Sequence, residues 1–154
     1  MHGNAKQDYN GRQSIKTNLG EELFARWCNE HNWRIDRVGF DEKGSNVPFF
    51  YKLNPILRNI PDFVISKNDR IYAVNVKGTA NIKRSEVNML PLLIEAYSTP
   101  ECPLVYAFCF NGKDPLFLST ARVILLYQRS KDNQWHDGVI YRHLELYENL
   151  QEQI

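Results

Sequence analysis

Apolar residues recur every three or four positions early in the chain, and this spacing predicts an amphipathic helix. Thr17 or Asn18 can cap the helix, which we expect to end near His31. The polar residues 1–16 ahead of it are rich in Gly, Asn, Gln and Lys and are expected to form a flexible arm. The core-facing positions of the helix are Leu19, Leu23, Phe24, Trp27 and Cys28.

Runs of β-branched and aromatic residues between turn-forming residues predict the strands. Trp33–Phe40 alternates imperfectly and is the first of them. Ile60–Ile65 and Arg70–Val76 are joined by Ser66–Asp69, whose residues are typical of a hairpin turn. Pro103–Phe110 (PLVYAFCF) is apolar almost throughout, as expected of a strand covered on both faces.

Two further helices are predicted in the second half of the chain. Helical spacing returns over Arg84–Tyr97, where Pro91 implies a helix that starts late or bends. Ser119 or Thr120 can cap a shorter helix that continues through Tyr127.

The remaining segments complete the predicted order of elements. Asp41–Asn59 is expected to be a long loop that could hold a short strand. Its aromatic run, Phe49, Phe50 and Tyr51, is expected to cover an edge of the core or to stack on bases. Val139–Leu146 is expected to close the sheet. The order predicts an α/β fold, a mixed sheet flanked by helices.

The composition is that of one ordinary folded domain, which we place over residues 17–154. Apolar residues make up 43% of the chain and charged residues 24%. The chain contains neither an apolar stretch long enough for a membrane span nor a signal-peptide pattern. We therefore expect a cytoplasmic protein, or a nuclear one in a eukaryote or virus, without a membrane partner. The three cysteines form no CxxC pair, which argues against a zinc or disulfide framework.

The net charge of +1 conceals an uneven distribution of charge along the chain. Residues 1–84 carry 14 Lys/Arg against 9 Asp/Glu, or +5, and residues 85–154 carry 5 against 9, or −4. The basic half has the right sign for a phosphate-bearing partner, so nucleic acid becomes a candidate ligand.

An acid, an amide and a lysine fall on the predicted hairpin. Asn75 and Lys77 are two residues apart on one strand, so their side chains leave the same face. Pairing about the turn sets Asp62 beside them. Carboxylate oxygens can hold Mg²⁺ or Mn²⁺, and an ammonium can orient water and offset charge on a phosphate. The patch therefore indicates phosphodiester hydrolysis.

The chain also resembles the PD-(D/E)xK nucleases, and in particular the archaeal Holliday-junction resolvases. The likeness rests on Gly20-Glu21 opening a helix, a following strand, the segment PDFVISKNDRIYAVNVKGT, and a helix leading into PLVYAF. It covers residues 17–110. The resemblance implies a restriction-endonuclease-like core and a Mg²⁺- or Mn²⁺-dependent endonuclease that acts on DNA, which could be branched or structured.

Carried over by position, the resemblance implies a catalytic set and a metal site. Lys77 would assist the attacking water. Asn75 departs from the family pattern because it stands where an acid is expected and supplies no negative charge. Glu86 on the next helix is the nearest carboxylate that could substitute. The implied catalytic residues are Lys77, Asp62, Glu21 and Asn75, and the implied metal ligands are Asp62, Glu21, Asn75 and Val76.

Several expectations about partners follow. The neutral Asn75 keeps open a nuclease-like fold without catalysis, serving as a nucleic-acid-binding or assembly module, and an RNA endonuclease also stays open. DNA is the preferred partner. The resolvase likeness implies a two-fold homodimer, with Leu104–Phe110 or the tail as its face. The expected phosphate contacts flank the site and are Arg58, Thr79, Lys83 and Arg84.

Overall fold

A five-stranded mixed sheet forms the centre of the protein, for which a computed structural model describes residues 19–40 and 49–147. In chain order the elements are α1 (19–30), β1 (Arg34–Arg37), α2 (Pro55–Arg58), β2 (Phe63–Lys67), β3 (Arg70–Lys77), β4 (Asn81–Lys83), α3 (Arg84–Tyr97), β5 (Leu104–Phe108), β6 (Leu116–Ser119), α4 (Thr120–Gln128), β7 (Asp132–Gln134) and β8 (Ile140–His143). The main sheet has the order β1-β2-β3-β5-β6. Its strands β3 and β5 pair in parallel, and the other neighbours pair antiparallel.

The alternation of side chains along the strands divides the core between the two faces of the sheet. On one face Val74 and Val76 of β3 pack with Phe24 and Cys28 of α1. On the other face the cluster includes Ala73 of β3 and buried residues of α3 and α4. Helices therefore flank both faces of the sheet, and the predicted α/β class with a mixed sheet is confirmed.

A second, three-stranded antiparallel sheet has the order β4-β8-β7. The expectation that Val139–Leu146 closes the main sheet is therefore wrong, because Ile140–His143 pairs with β4 and β7 instead. The edge of the main sheet is taken by β6, which sequence reasoning missed. Phe117 and Leu118 of β6 are fully buried, whereas β8 is half-exposed, so β6 supplies the apolar side chains that this edge needs.

The hairpin that carries the expected chemistry is present, with a tighter turn than predicted. β2 and β3 are joined by Asn68 and Asp69, and Asn68 adopts a left-handed backbone with φ 57°. Asparagine tolerates this conformation better than most residues. β3 extends to Lys77, while the segment before Phe63, predicted as strand, is not paired in the ladder.

Other boundaries differ from the predictions for local reasons. β1 ends at Arg37, because the amides of Val38 and Gly39 both donate to the Asp62 carbonyl (3.1 and 3.3 Å). In the described part of the predicted loop, residues 49–59, a 3-10 turn (Phe50–Lys52) and α2 stand where a strand was considered. α3 begins at Arg84 and contains Pro91, so the late start is wrong.

Some expectations fall on residues that the structure does not describe. The arm over residues 1–16 and the caps Thr17 and Asn18 are among them, whereas the helix that follows is confirmed over 19–30. Leu104–Phe110 is wrong as an exposed dimer face, because β5 is buried between β3 and β6, while the dimer itself stays a prediction. Within the described residues, no helix has the length and apolar character needed to cross a membrane.

Candidate functional site

Three polar side chains, those of Asp62, Asn75 and Tyr106, lie in a row across the main sheet. Asn75 is paired with Tyr106 in the β3–β5 ladder. Continuing the β2–β3 register by one residue places Asp62 opposite Asn75. Because side chains alternate between faces, all three leave the face that α3 covers, and Lys77 leaves it two residues after Asn75.

Glu86, in the first turn of α3, joins this row through two hydrogen bonds. Lys77 Nζ donates to Glu86 Oε1 (2.6 Å), and the Tyr106 hydroxyl donates to Glu86 Oε2 (2.8 Å). The Lys77 and Glu86 side chains are 19% and 20% exposed, so water screens their ion pair less than it would on an open surface. The carboxylate is held at both oxygens, which places it beside Lys77.

Tyr106 links the carboxylate to Asn75. Its single proton is donated to Glu86, so the hydrogen bond with the Asn75 side chain must use the amide as donor and the phenol oxygen as acceptor. Burial raises the pKa of Tyr106 well above its usual value, and the nearby Glu86 charge raises it further. The phenol therefore stays protonated and keeps donating to Glu86.

Asp62 is held at the other side of the row. Its Oδ2 accepts the backbone N–H of Val76 (2.8 Å). Burial raises the pKa of Asp62 to about 7, and the charge of Glu21 also raises it, while the Val76 bond, Lys77 and Arg37 act in the opposite direction. The N–H and C=O of one strand residue point to the same side, so the Val76 carbonyl is directed toward Asp62 as well.

Glu21 approaches from α1, which packs on the opposite face of the sheet. It is only 7% exposed and accepts a hydrogen bond from Arg37 (2.8 Å). A Cβ at Gly20 would lie 2.9 Å from the Cα of Gly78, so only glycine permits this close approach of helix and strand end. Glu21 is therefore near enough to Asp62 to affect its pKa, but its carboxylate is engaged by Arg37.

A cavity of about 600 Å³ opens over the row. Seven of the residues predicted from sequence line it, namely Asp62, Asn75, Val76, Lys77, Arg58, Thr79 and Lys83. Glu86 and Tyr106 line it too. Glu21 and Arg84 are not among its lining residues, and Arg84 instead forms an ion pair with Asp132 (2.5 Å).

The cations of the cavity differ in how they are held. The Nε of Arg58 is buried and has no hydrogen-bond partner in the described part of the chain. Burial lowers the pKa of Lys83, and the charges of Glu86 and Asp137 oppose that effect. Arg58 and Lys83 both line the cavity, and their positive charges favour an anionic ligand there.

The oxygen atoms that line the cavity fit a hard divalent cation that is bound by few protein ligands. Carboxylate and amide oxygens of Asp62, Glu86 and Asn75 line one cavity, and Mg²⁺ prefers oxygen ligands. Among residues 19–40 and 49–147, however, no three His, Cys, Asp or Glu side chains come together as a metal cluster. The residues fit an ion that keeps several waters and binds one or two carboxylates plus a substrate phosphate, which is the usual manner of Mg²⁺.

Two residues of the site were missed by sequence reasoning. Tyr106 lies in the apolar strand PLVYAFCF, where its hydroxyl was the one signal, since a buried phenol requires a hydrogen-bond partner. Trp135 lines the cavity from the second sheet, and nothing in the sequence signalled that this sheet folds over the site.

The residues of the aromatic run, Phe49, Phe50 and Tyr51, differ in how exposed they are. Phe49 and Tyr51 are 65% and 68% exposed, so the expectation that they cover an edge of the core is wrong for both. Phe50 packs against Phe40, with ring centroids 5.1 Å apart. Stacking of Phe49 or Tyr51 on bases stays a prediction.

Comparison with known proteins adds no identity to this site. No family model, no curated protein and no solved structure matches the chain.

Proposed function

We propose that the chain is a Mg²⁺- or Mn²⁺-dependent endonuclease with a restriction-endonuclease-like core, which hydrolyses phosphodiester bonds in DNA. The observation that carries the proposal is the Lys77–Glu86 pair (2.6 Å) lining the same cavity as Asp62. The carboxylates of Asp62 and Glu86 can serve as cation ligands, and the lysine beside Glu86 supplies a positive charge for phosphate. Arg58 and Lys83 in the same cavity support an anionic substrate.

Glu86 supplies the negative charge that Asn75 lacks. Asn75 and Glu86 share the Tyr106 hydroxyl, which has one proton to donate. An acid at position 75 would compete with Glu86 for that proton and would repel its charge. An amide at 75 donates to the phenol instead, so the neutral residue suits a site whose second acid lies on α3.

Asp62 and Glu86 are the residues that would hold the metal, with Asn75 and the Val76 carbonyl as further oxygen donors. When bound, Mg²⁺ or Mn²⁺ offsets the charge that develops on the phosphate and lowers the pKa of coordinated water. Glu21 acts on Asp62 from behind the sheet, through its charge, and is held in place by Arg37. We assign Glu21 a positioning role.

Among the chain's own side chains, Lys77 is the one that assists the hydrolysis step. In the hydrolysis a water oxygen bonds to phosphorus, the bridging P–O bond breaks, and the products are a phosphate monoester and a hydroxyl end. The Lys77 ammonium can orient that water and offset the added negative charge on the phosphate oxygens. Arg58 and Lys83 would hold the phosphates on either side, and Thr79 can donate a hydrogen bond to one of them.

The experiment is a cleavage assay on branched, duplex and single-stranded DNA with Mg²⁺, Mn²⁺ or EDTA. We expect metal-dependent cleavage that Lys77→Ala and Asp62→Ala each reduce by about 100-fold or more. Lys67→Ala and Asp69→Ala are matched controls on the same hairpin, at the end away from the cavity, and should keep activity. Full activity in both cavity variants, or cleavage that survives EDTA, would refute the proposal.

A second candidate is a nucleic-acid-binding or assembly module that uses the nuclease-like fold without catalysis. The observation in its favour is that two of the acids assigned to the site are each paired with a cation, Glu86 with Lys77 and Glu21 with Arg37. Calorimetric titration with Mg²⁺ separates the candidates. Binding no tighter than millimolar, together with no cleavage of any DNA or RNA in a substrate panel, would favour the module, and cleavage of RNA alone would favour an RNA endonuclease.

A further inference from the structure

We propose that Trp135 is a stacking platform for an unpaired base, so that the cavity takes a single-stranded stretch of nucleic acid rather than an intact double helix. The inference rests on the proposed function, because it names the form of substrate that the same cavity would accept. It goes beyond that function by assigning a binding role to the second sheet.

Trp135 is fixed at the hairpin between β7 and β8. Its backbone N–H donates to the Val139 carbonyl (3.0 Å), and its backbone carbonyl accepts the N–H of Gly138 (2.9 Å). The indole stacks on Tyr141, with centroids 4.3 Å apart and planes 17° from parallel. An aromatic ring held in place by its neighbours loses little conformational freedom when a base stacks on it.

The sheet that carries Trp135 is tied to the helices around the site. Asp132 of β7 binds Arg84 at the start of α3 (2.5 Å) and Arg142 of β8 (2.7 Å). Arg142 also donates to the Tyr127 carbonyl at the end of α4 (2.7 Å) and lies over the Tyr127 ring (4.4 Å). Trp135 is thereby held in position at the cavity.

The lining of the cavity comes from several elements. Lys83 of β4, Trp135 of the β7–β8 hairpin, and Pro55 and Arg58 of α2 line it together with Asp62. A volume of about 600 Å³ is in the range of small-ligand pockets and holds a nucleotide or two. A duplex presents its bases stacked inside, so a base can reach Trp135 only when it is unpaired or turned out of the helix.

The charges of the cavity complement such a strand. Lys77, Lys83 and Arg58 line the same cavity as Trp135, so cations for phosphate groups and an aromatic ring for a base are present together. A cationic groove with an aromatic platform is the usual arrangement for single strands, and it tolerates any base.

The test is binding of a fluorescein-labelled 12-nucleotide DNA strand, and of the same strand annealed to its complement, measured by anisotropy in EDTA. We expect Trp135→Leu, which keeps an apolar cover on Tyr141, to weaken single-strand binding about tenfold and to change duplex binding less than about twofold. Trp135→Phe should retain most of the affinity. Tyr147→Leu, at an exposed aromatic outside the cavity, is the matched control.

A second readout reports stacking directly. Tryptophan fluorescence of the wild type should fall when the single strand is added, and the loss should be absent in Trp135→Phe, which keeps Trp27 and Trp33. Equal weakening of both forms of DNA in Trp135→Leu, unchanged affinity, or no single-strand binding by the wild type would overturn the inference. These measurements need no catalysis, so a wild type that binds in this way but never cleaves refutes the proposed function and leaves the platform intact.

Discussion

Asp62 is a carboxyl group whose surroundings oppose its ionisation. Burial, and then the charge of Glu21, raise its pKa to about 7 from its ordinary value of 3.8. Between pH 4 and 7 the folded protein therefore still holds a proton on Asp62 that the unfolded chain has already lost. Stability consequently falls as the pH rises through that interval, and the full loss is present above pH 7.

We therefore predict that Asp62→Asn stabilises the metal-free protein at pH 8, by about 2 kcal/mol, because the amide cannot ionise and can still accept the Val76 N–H. The gain should vanish near pH 4, where the aspartic acid is neutral in both states. Urea unfolding in EDTA at the two pH values measures it. Asp69→Asn, at the exposed hairpin turn, is the control. Equal effects of Asp62→Asn at pH 4 and 8 would contradict the assignment.

The proposed exchange of roles between Asn75 and Glu86 gives a second prediction. Glu86→Gln removes the second acid and should lower metal-dependent cleavage about 100-fold. Adding Asn75→Asp in that background returns a carboxylate beside Tyr106, whose proton is then available to it, and should recover about tenfold. Glu95→Gln, exposed on the same helix, should be neutral. A double variant as inactive as Glu86→Gln would show that the two positions do not share one role.

Residue-level prediction from sequence worked where strand periodicity decided the outcome. The two-residue spacing of Asn75 and Lys77, and the hairpin that brings Asp62 to them, required only alternation and a turn. It was less informative where a partner lay far along the chain. Arg37, which engages Glu21, and Tyr106, which engages Glu86, are brought in by tertiary packing that no local pattern signals.

At the scale of elements, the contact between α1 and the end of β3 determines where Glu21 lies. Replacing glycine by alanine in an ordinary exposed helix stabilises it by about 1 kcal/mol. At Gly20 the new Cβ would meet the Gly78 backbone at 2.9 Å, which neither chain segment can accommodate without moving.

We therefore predict that the clash outweighs the helix propensity and that Gly20→Ala destabilises the protein by about 1 to 2 kcal/mol. Denaturant unfolding at constant pH measures the change. Glu22→Ala, on the exposed side of the same helix, supplies the reference for a substitution that meets no neighbour. A stabilised Gly20→Ala protein would mean that α1 is not pressed against Gly78.

The sheet order shows why elements were easier to predict than their partners. α3, α4 and the hairpin followed from helical spacing, a serine cap and turn residues, all of which are local. The partners of β8 cannot be predicted in the same way, because they depend on which other strand occupies the edge of the main sheet. β6, with Phe117 and Leu118 buried, occupies that edge, and β8 pairs with β4 and β7 instead.

At the scale of the whole molecule, the cavity is built from both sheets and both halves of the chain. The basic first half contributes Asp62, Lys77 and Arg58, and the acidic second half contributes Glu86 and Trp135. The division of charge along the sequence therefore pointed to the half that carries the cations. It could not indicate that an acid from the other half would complete the site.

Binding of a divalent cation between Asp62 and Glu86, on which the proposed function depends, can be observed in a crystal soaked in Mn²⁺. The anomalous scattering of manganese identifies the ion independently of any assumption about activity. We predict an anomalous peak in the cavity in direct contact with a carboxylate oxygen of Asp62 and bound to Glu86 directly or through water, and its loss in Asp62→Ala. A saturating soak that gives no peak in the cavity, or manganese only elsewhere on the protein, would show that Asp62 and Glu86 do not form a metal site.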